Sequence, residues 1–143
     1  MSENLDLAKT LFNETWDLID KQDRTDEETI TMLHMAHTSC YLWREANSPL
    51  NNARGEWQVS RVYSILSEGR LALLHGTRSL ALCLDNGIGD FDLAFGYEAV
   101  ARAYKALGNA ALQEENKQLG LAACETIADN DDRDYTLSNF ADL

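Results

Sequence analysis

Apolar residues recur every three or four positions through most of this chain, and nowhere do they alternate with polar ones over the length of a strand. Leu5, Ala8, Leu11, Phe12 and Thr15 share one helical face and predict a first helix over about residues 4–21. Polar residues 22–25 interrupt it. Thr25-Asp-Glu-Glu28 then places a hydroxyl three residues ahead of a carboxylate, the signature of a capping box, and predicts a second helix to about residue 45. Asn47-Ser48-Pro49 ends that helix and opens a third, because proline suits a first helical turn where its missing N–H is not needed. Gly69 marks the next turn. Asn86-Gly87-Ile88-Gly89-Asp90 is the clearest loop, with Gly87 expected in the left-handed region and Asp90 as the following N-cap. Gly108-Asn109 divides a fifth helix from a sixth that runs to about residue 128. The pattern yields six helices and no strand.

The chain also matches itself. Residues 61–83 align with residues 102–124 without a gap, so that Arg61, Tyr63, Leu66, Leu80, Ala81 and Cys83 meet Arg102, Tyr104, Leu107, Leu121, Ala122 and Cys124 at a constant offset of 41. Trp16 and Trp57 are separated by the same 41. A fixed period of this size is the mark of stacked supersecondary units. Short connections make sequential helices antiparallel. The expected fold is therefore all-α: three stacked antiparallel helical hairpins forming one domain over residues 1–128, followed by an acidic, solvated tail over 129–143 with room for one short helix near Leu137.

Charge changes the picture by its distribution. The net charge is −12, which argues against a nucleic-acid partner, since that needs a basic face. Residues 1–43 hold nine acids and three bases, and residues 103–143 hold eight and three. Residues 44–102 hold seven acids and six bases, and all six bases are arginine. Arginine is the better residue for two-pronged contacts to carboxylate or phosphate. No apolar run approaches the length that spans a bilayer. The opening residues lack the basic and apolar regions of a signal peptide, so a cytoplasmic protein is expected. Cys40, Cys83 and Cys124 lie within apolar helical stretches and are expected as buried packing residues, not as redox thiols.

Arg61-Val-Tyr-Ser-Ile-Leu66, Arg102-Ala-Tyr-Lys-Ala-Leu-Gly108 and Ala72 resemble the helix pairs of tetratricopeptide-like repeats, more closely over residues 53–128 than over 5–46. The period of 41 exceeds the 34 of the standard repeat. Gln113 stands where a small residue is usual, and the closing proline is missing. The chain thus resembles a longer-armed, bacterial type of such proteins, and the resemblance implies a right-handed α-α superhelix whose first helices line a concave groove. It assigns to the groove Arg54, Trp57, Arg61 and Ser64 on the third helix, Phe95, Glu98, Arg102 and Lys105 on the fifth, and Asn13, Trp16 and Asp20 on the first.

Helical geometry agrees. At about 100° per residue, Arg54, Trp57 and Arg61 fall within an arc of about 60°, opposite Val59, Val62, Tyr63 and Leu66. Arginine interleaved with large aromatics is enriched where proteins bind something. Arg61 and Arg102 are close enough on neighbouring helices to converge on one anionic group. The expected function is a non-catalytic binding module recognising an anionic peptide or small ligand, without a cofactor, with Arg54, Trp57, Arg61, Phe95, Glu98, Arg102, His37 and Tyr97 as candidate ligand-binding residues. Glu98 is also four residues before Arg102, a favourable helical pairing, and the same residues suit a purely structural role that fixes register between units. Two other readings stand beside the binding module: an enzyme using His37, Glu56, Tyr97 and Glu98, or a homodimer in which the same face is the interface. His34 and His37 share a helix face, but no second His–carboxylate pair accompanies them, and no metal site is expected. The 129–134 run lacks the glycine and closing glutamate of a calcium loop.

Overall fold

Helix starts are set by nearest neighbours. The Glu28 N–H donates to the Thr25 hydroxyl at 3.1 Å and the Thr25 N–H donates to the Glu28 carboxylate at 3.0 Å, completing the capping box. Ser48, Asn109 and Asp129 each accept from the N–H three residues on, at 3.4, 3.1 and 2.9 Å. The computed structural model describes residues 2–143 and contains seven α-helices: α1 Ser2–Ile19, α2 Asp26–Glu45, α3 Pro49–Ile65, α4 Gly69–Asp85, α5 Asp90–Ala106, α6 Ala110–Cys124 and α7 Asn130–Ser138. The described residues contain no strand. Gly87 takes the left-handed conformation expected of it, at φ 65°. Asp90 is the first residue of α5 and not its cap; Gly89 occupies the cap position and offers no side chain to it.

Helix ends repeat as well. The Glu68 N–H donates to the Tyr63 carbonyl and the Asn109 N–H to the Tyr104 carbonyl, both at 2.9 Å. These six-residue closures need one left-handed residue each. Ser67 fills that position after α3 at φ 61°, and Gly108 fills it after α5 at φ 74°. The same turn is thus made once with a residue that tolerates it poorly and once with the residue that suits it.

Each helix packs on the next along the chain, and α3 also packs on both α1 and α5. The even-numbered helices make no comparable contacts with one another among the described residues. The odd-numbered helices therefore form the tighter layer. The core is a series of small clusters and not one mass: Met32, Ala36, Cys40, Val59 and Val62; then Ala53, Leu82 and Cys83; then Ala94, Ala123, Cys124, Ile127 and Phe140. All three cysteines are free and buried within these clusters. Burial raises each thiol pKa, that of Cys83 to about 11, so none is an activated thiolate. Serine hydroxyls clamp the hairpins internally: Ser39 donates to the Ala8 carbonyl at 2.7 Å, and Ser79 to that of Ala53 at 2.8 Å.

Residues 129–143 depart from the solvated tail that their polar composition suggests. Residues Asn130–Ser138 form α7, which packs on α5 and α6. Phe140 is only 2% exposed. It fits against Gly120, where an added Cβ would come within 2.5 Å of the Phe140 ring. The starts of α5 and α7, Asp90 and Asn130, lie 40 residues apart, one short of the 41 that separates those of α3 and α5. By position, α7 corresponds to α3 and α5. It closes the last hairpin's apolar face, the task of a terminal cap in a stack of repeats.

Candidate functional site

The odd-helix layer presents aromatic rings from four helices. Trp16 of α1 lies 5.3 Å from Trp57 of α3, Trp57 lies 5.1 Å from Phe95 of α5, and Phe95 lies 6.4 Å from Tyr135 of α7, measured between ring centroids. Phe12 and Phe91 flank the row at 6.4 Å from Trp16 and Phe95. These six rings line an open cleft of about 280 Å³, together with Ala53, Ser79, Arg54 and Asp92. The rings are tilted by 41° to 80° to their neighbours, so they form walls and not a parallel stack. All six remain partly in contact with solvent. Five of the rings are half-buried, and Tyr135 is exposed.

Beneath this row lies a buried ion network. Glu98 is fully buried. Its carboxylate accepts from the Trp57 indole N–H at 2.9 Å and from Arg102 Nε at 2.5 Å, and Arg61 Nη2 stands 3.7 Å away. Asp142, from the segment after α7, meets Arg102 with both oxygens at 2.7 and 3.0 Å. Asn139 accepts from Arg61 through its side chain and from Arg102 through its carbonyl, at 3.2 and 2.9 Å. Lys105 donates to the Asp142 carbonyl at 2.6 Å. Burial disfavours a charged Arg102, but the bonds to Asp142 and the charge of Glu98 outweigh it and raise its pKa. The hydrogen bond from Arg102 lowers the Asp142 pKa to about 2.

Arg54 is held separately. It grips Asp92 with two parallel bonds of 2.9 and 3.0 Å, which raise its pKa, and its guanidinium lies over Phe91 at 5.5 Å.

The structure thus brings together Trp57 and Phe95 in the cleft and Arg61, Glu98 and Arg102 in the network, with Arg54 at the cleft wall. It does not bring Arg61 and Arg102 to a vacant anion site between the helices: the space among Trp57, Arg61, Glu98 and Arg102 is filled by their own bonds. The expected convergence on one outside anion is corrected on this point: Glu98, Asn139 and Asp142 take up most of these donors, and Arg61 Nε is left without a partner among the described residues. His37 and Tyr97 lie elsewhere. Tyr97 packs with the α5–α6 cluster, its Cβ next to Gly120. His37 of α2 bonds Tyr63 at 2.8 Å and meets the His75 ring at 5.6 Å. Desolvation and the nearby His75 lower its pKa.

His75 in turn bonds Glu56 at 3.2 Å, and Glu56 also accepts from the Cys40 thiol at 3.2 Å. Burial opposes a charged Glu56, but these two donors outweigh it and hold its pKa below the usual range. Its carboxylate holds Cys40 as a thiol. His37, Glu56, Tyr97 and Glu98 therefore occupy three separate places and make no common acid–base centre. Among the described residues no group of three or more His, Cys, Asp or Glu side chains is arranged to hold a metal ion. No helix among the described residues is long and apolar enough to cross a membrane.

Phe12, Phe91, Asp92, Tyr135, Asn139 and Asp142 were not legible as site residues. Asp92, Phe95, Asp132 and Tyr135 carry a signal that was available: Asp92-x-x-Phe95 recurs as Asp132-x-x-Tyr135 at an offset of 40. No family model matches this chain, and no curated protein or solved structure matches it.

Proposed function

We propose that the chain is a non-catalytic binding module that takes its ligand in the aromatic cleft of the odd-helix layer. The observation that carries this reading is the cleft itself: six partly exposed rings from four helices around about 280 Å³. Small-molecule sites are concave, mostly apolar and marked by a few polar groups, and they run from about 300 Å³ upward. The cleft lies just below that range, which suits a head group or a single side chain. The finer architecture proposed is a tetratricopeptide-like right-handed stack. It is supported by the 41-residue offset and by mutual contact confined to the odd-numbered helices. In such a stack the odd helices form the concave side.

The test is amide and indole chemical-shift mapping with fragment-sized ligands of each charge class. Ligands should move the signals of Trp16, Trp57, Phe95 and Tyr135, and a Tyr135→Ala variant should bind more weakly. If no fragment of any class perturbs these residues, the reading is wrong.

A second reading has its own observation. Arg61, Ser64, Ser67, Arg102 and Lys105 border an open hollow of about 320 Å³ next to Asp142. Arg61 Nε and the Ser64 hydroxyl have no hydrogen-bond partner among the described residues. Buried donors left unsatisfied are costly. An anionic group, including a peptide carboxylate that displaces Asp142, would satisfy them. Thermal-shift titration with phosphate and with acidic peptides tests this, with Arg61→Ala/Arg102→Ala as the control. An identical response from wild type and control removes the reading.

A further inference from the structure

Phe91, Phe95 and Tyr135 of the aromatic cleft also line a second hollow of about 220 Å³, bordered by Asp132 and Thr136. Around that end the chain gathers carboxylates from two helix starts: Asp90 of α5, and Asp129, Asp131 and Asp132 at the start of α7. They are close enough to disturb one another. Burial raises the Asp132 pKa most, and the charges of Asp129, Asp90 and Asp131 raise it further. Arg133 is the nearby base on α7, and it turns to the Asn130 side chain and the Ile127 carbonyl. Arg54, the one base that lines the cleft, is neutralised by Asp92. The chain as a whole carries a charge of −12. Both the local and the long-range field therefore favour a cation at this end.

The rings supply the complementary surface. Aromatic faces carry the negative part of a quadrupole and attract cations, most strongly for tryptophan. This chain already uses its rings so: Arg54 lies 5.5 Å from the Phe91 centroid and Arg61 lies 5.9 Å from that of Trp57. The Trp57 indole N–H donates to the buried Glu98 carboxylate, which pushes electron density into the ring. An inorganic cation would find only one carboxylate lining the cleft, Asp92, already committed to Arg54, and no set of oxygen ligands. A cation that carries its own apolar shell needs no such ligands.

We propose that the cleft between Trp16, Trp57, Phe95 and Tyr135 binds a small organic cation bearing a quaternary ammonium group, with the Asp132 end drawing it in. This rests on the reading of the cleft as the ligand site and names the ligand class. The organic shell of the ammonium lies against tilted ring faces, and the acidic end balances its charge without direct coordination.

The experiment titrates choline, and its neutral carbon isostere 3,3-dimethylbutan-1-ol, into the full chain, read by intrinsic tryptophan fluorescence and by calorimetry. Choline is expected to bind at least about tenfold more tightly than the isostere, the equivalent of one desolvated cation–aromatic contact. Its affinity should fall as salt is added. Tyr135→Ala removes one ring wall at a position 66% exposed, so folding is undisturbed. It should weaken choline by about two- to fivefold. Asp132→Asn should weaken choline and leave the isostere unchanged. Equal binding of choline and isostere would overturn the cationic ligand and leave the cleft standing. Binding of neither would overturn the quaternary-ammonium ligand, and the cleft itself would then stand or fall by the fragment mapping. Choline binding that ignores Tyr135→Ala and Asp132→Asn alike would place the ammonium outside the cleft and end the proposal.

Discussion

Replacing Glu98 with glutamine tests the buried network most directly. The substitution keeps shape and keeps an acceptor for the Trp57 indole, 2.9 Å away. It removes the charge that faces Arg102 Nε and Arg61 Nη2 at 2.5 and 3.7 Å, and it turns an amide donor toward guanidinium donors. Losing one partner of a fully buried ion pair costs about 3–5 kcal/mol. The arginines here are less enclosed, with side chains 13% and 19% exposed, and Arg102 retains Asp142. Solvent and the remaining carboxylate therefore relieve part of the loss, and about 2–3 kcal/mol is expected. For a domain of this size that lowers the melting temperature by roughly 6–12 °C. Urea unfolding followed by far-ultraviolet circular dichroism measures the difference. Arg102→Met and the double variant complete a cycle, with an expected coupling of about 1–3 kcal/mol. A loss below about 0.5 kcal/mol, or strictly additive single effects, refutes the view that Glu98 organises the arginines.

The seat of the C-terminal segment predicts that Phe140→Ala costs about 3 kcal/mol and that Gly120→Ala costs about 1–3, since its new methyl meets the Phe140 ring. Hydrogen exchange should show α7 losing protection in both variants while α2 and α3 keep theirs. The paired turns predict opposite signs: Gly108→Ala destabilises by about 1 kcal/mol, and Ser67→Gly is neutral or stabilising, read from urea midpoints. The Asp142 pKa is depressed in the folded chain, to about 2 from an ordinary 3.8. Its stabilisation is therefore complete above the higher value and is lost as pH falls through the lower. Asp142→Asn should reduce stability at neutral pH, by a modest amount because the side chain is 59% exposed. It should also flatten the acid limb between about pH 4 and pH 2, which thermal scans across that window would reveal.

Six of the seven helices were legible because their ends depend on residues three or four positions away. Thr25 and Glu28 form their box from neighbouring residues alone, Pro49 fixes φ by its ring, and Gly108, without a Cβ, admits the left-handed turn. The period of 41 also identified the rows on which Trp16, Trp57, Phe95, Glu98 and Arg102 lie. Periodicity says which face a residue occupies and not which partner meets it there. Arg54 was legible as a cleft residue, but Asp92, which neutralises it from 38 positions away, was not. The short helix near Leu137 was expected, but its docking was not, because α7 is polar and its attachment rests on Phe140, one apolar anchor outside any helical period.

By itself the sequence determined an all-helical chain of duplicated hairpins, with rings and arginines on the odd helices, because caps, turns and periodicity act over a few residues. Only the tertiary structure decided which charges are spent on one another and which rings stay open to solvent. Glu98 meets Trp57 across 41 positions, and Asp142 meets Arg102 across 40. Such pairings form only when one unit is stacked in register on the next, and the same stacking leaves the four rings from Trp16 to Tyr135 side by side at the surface.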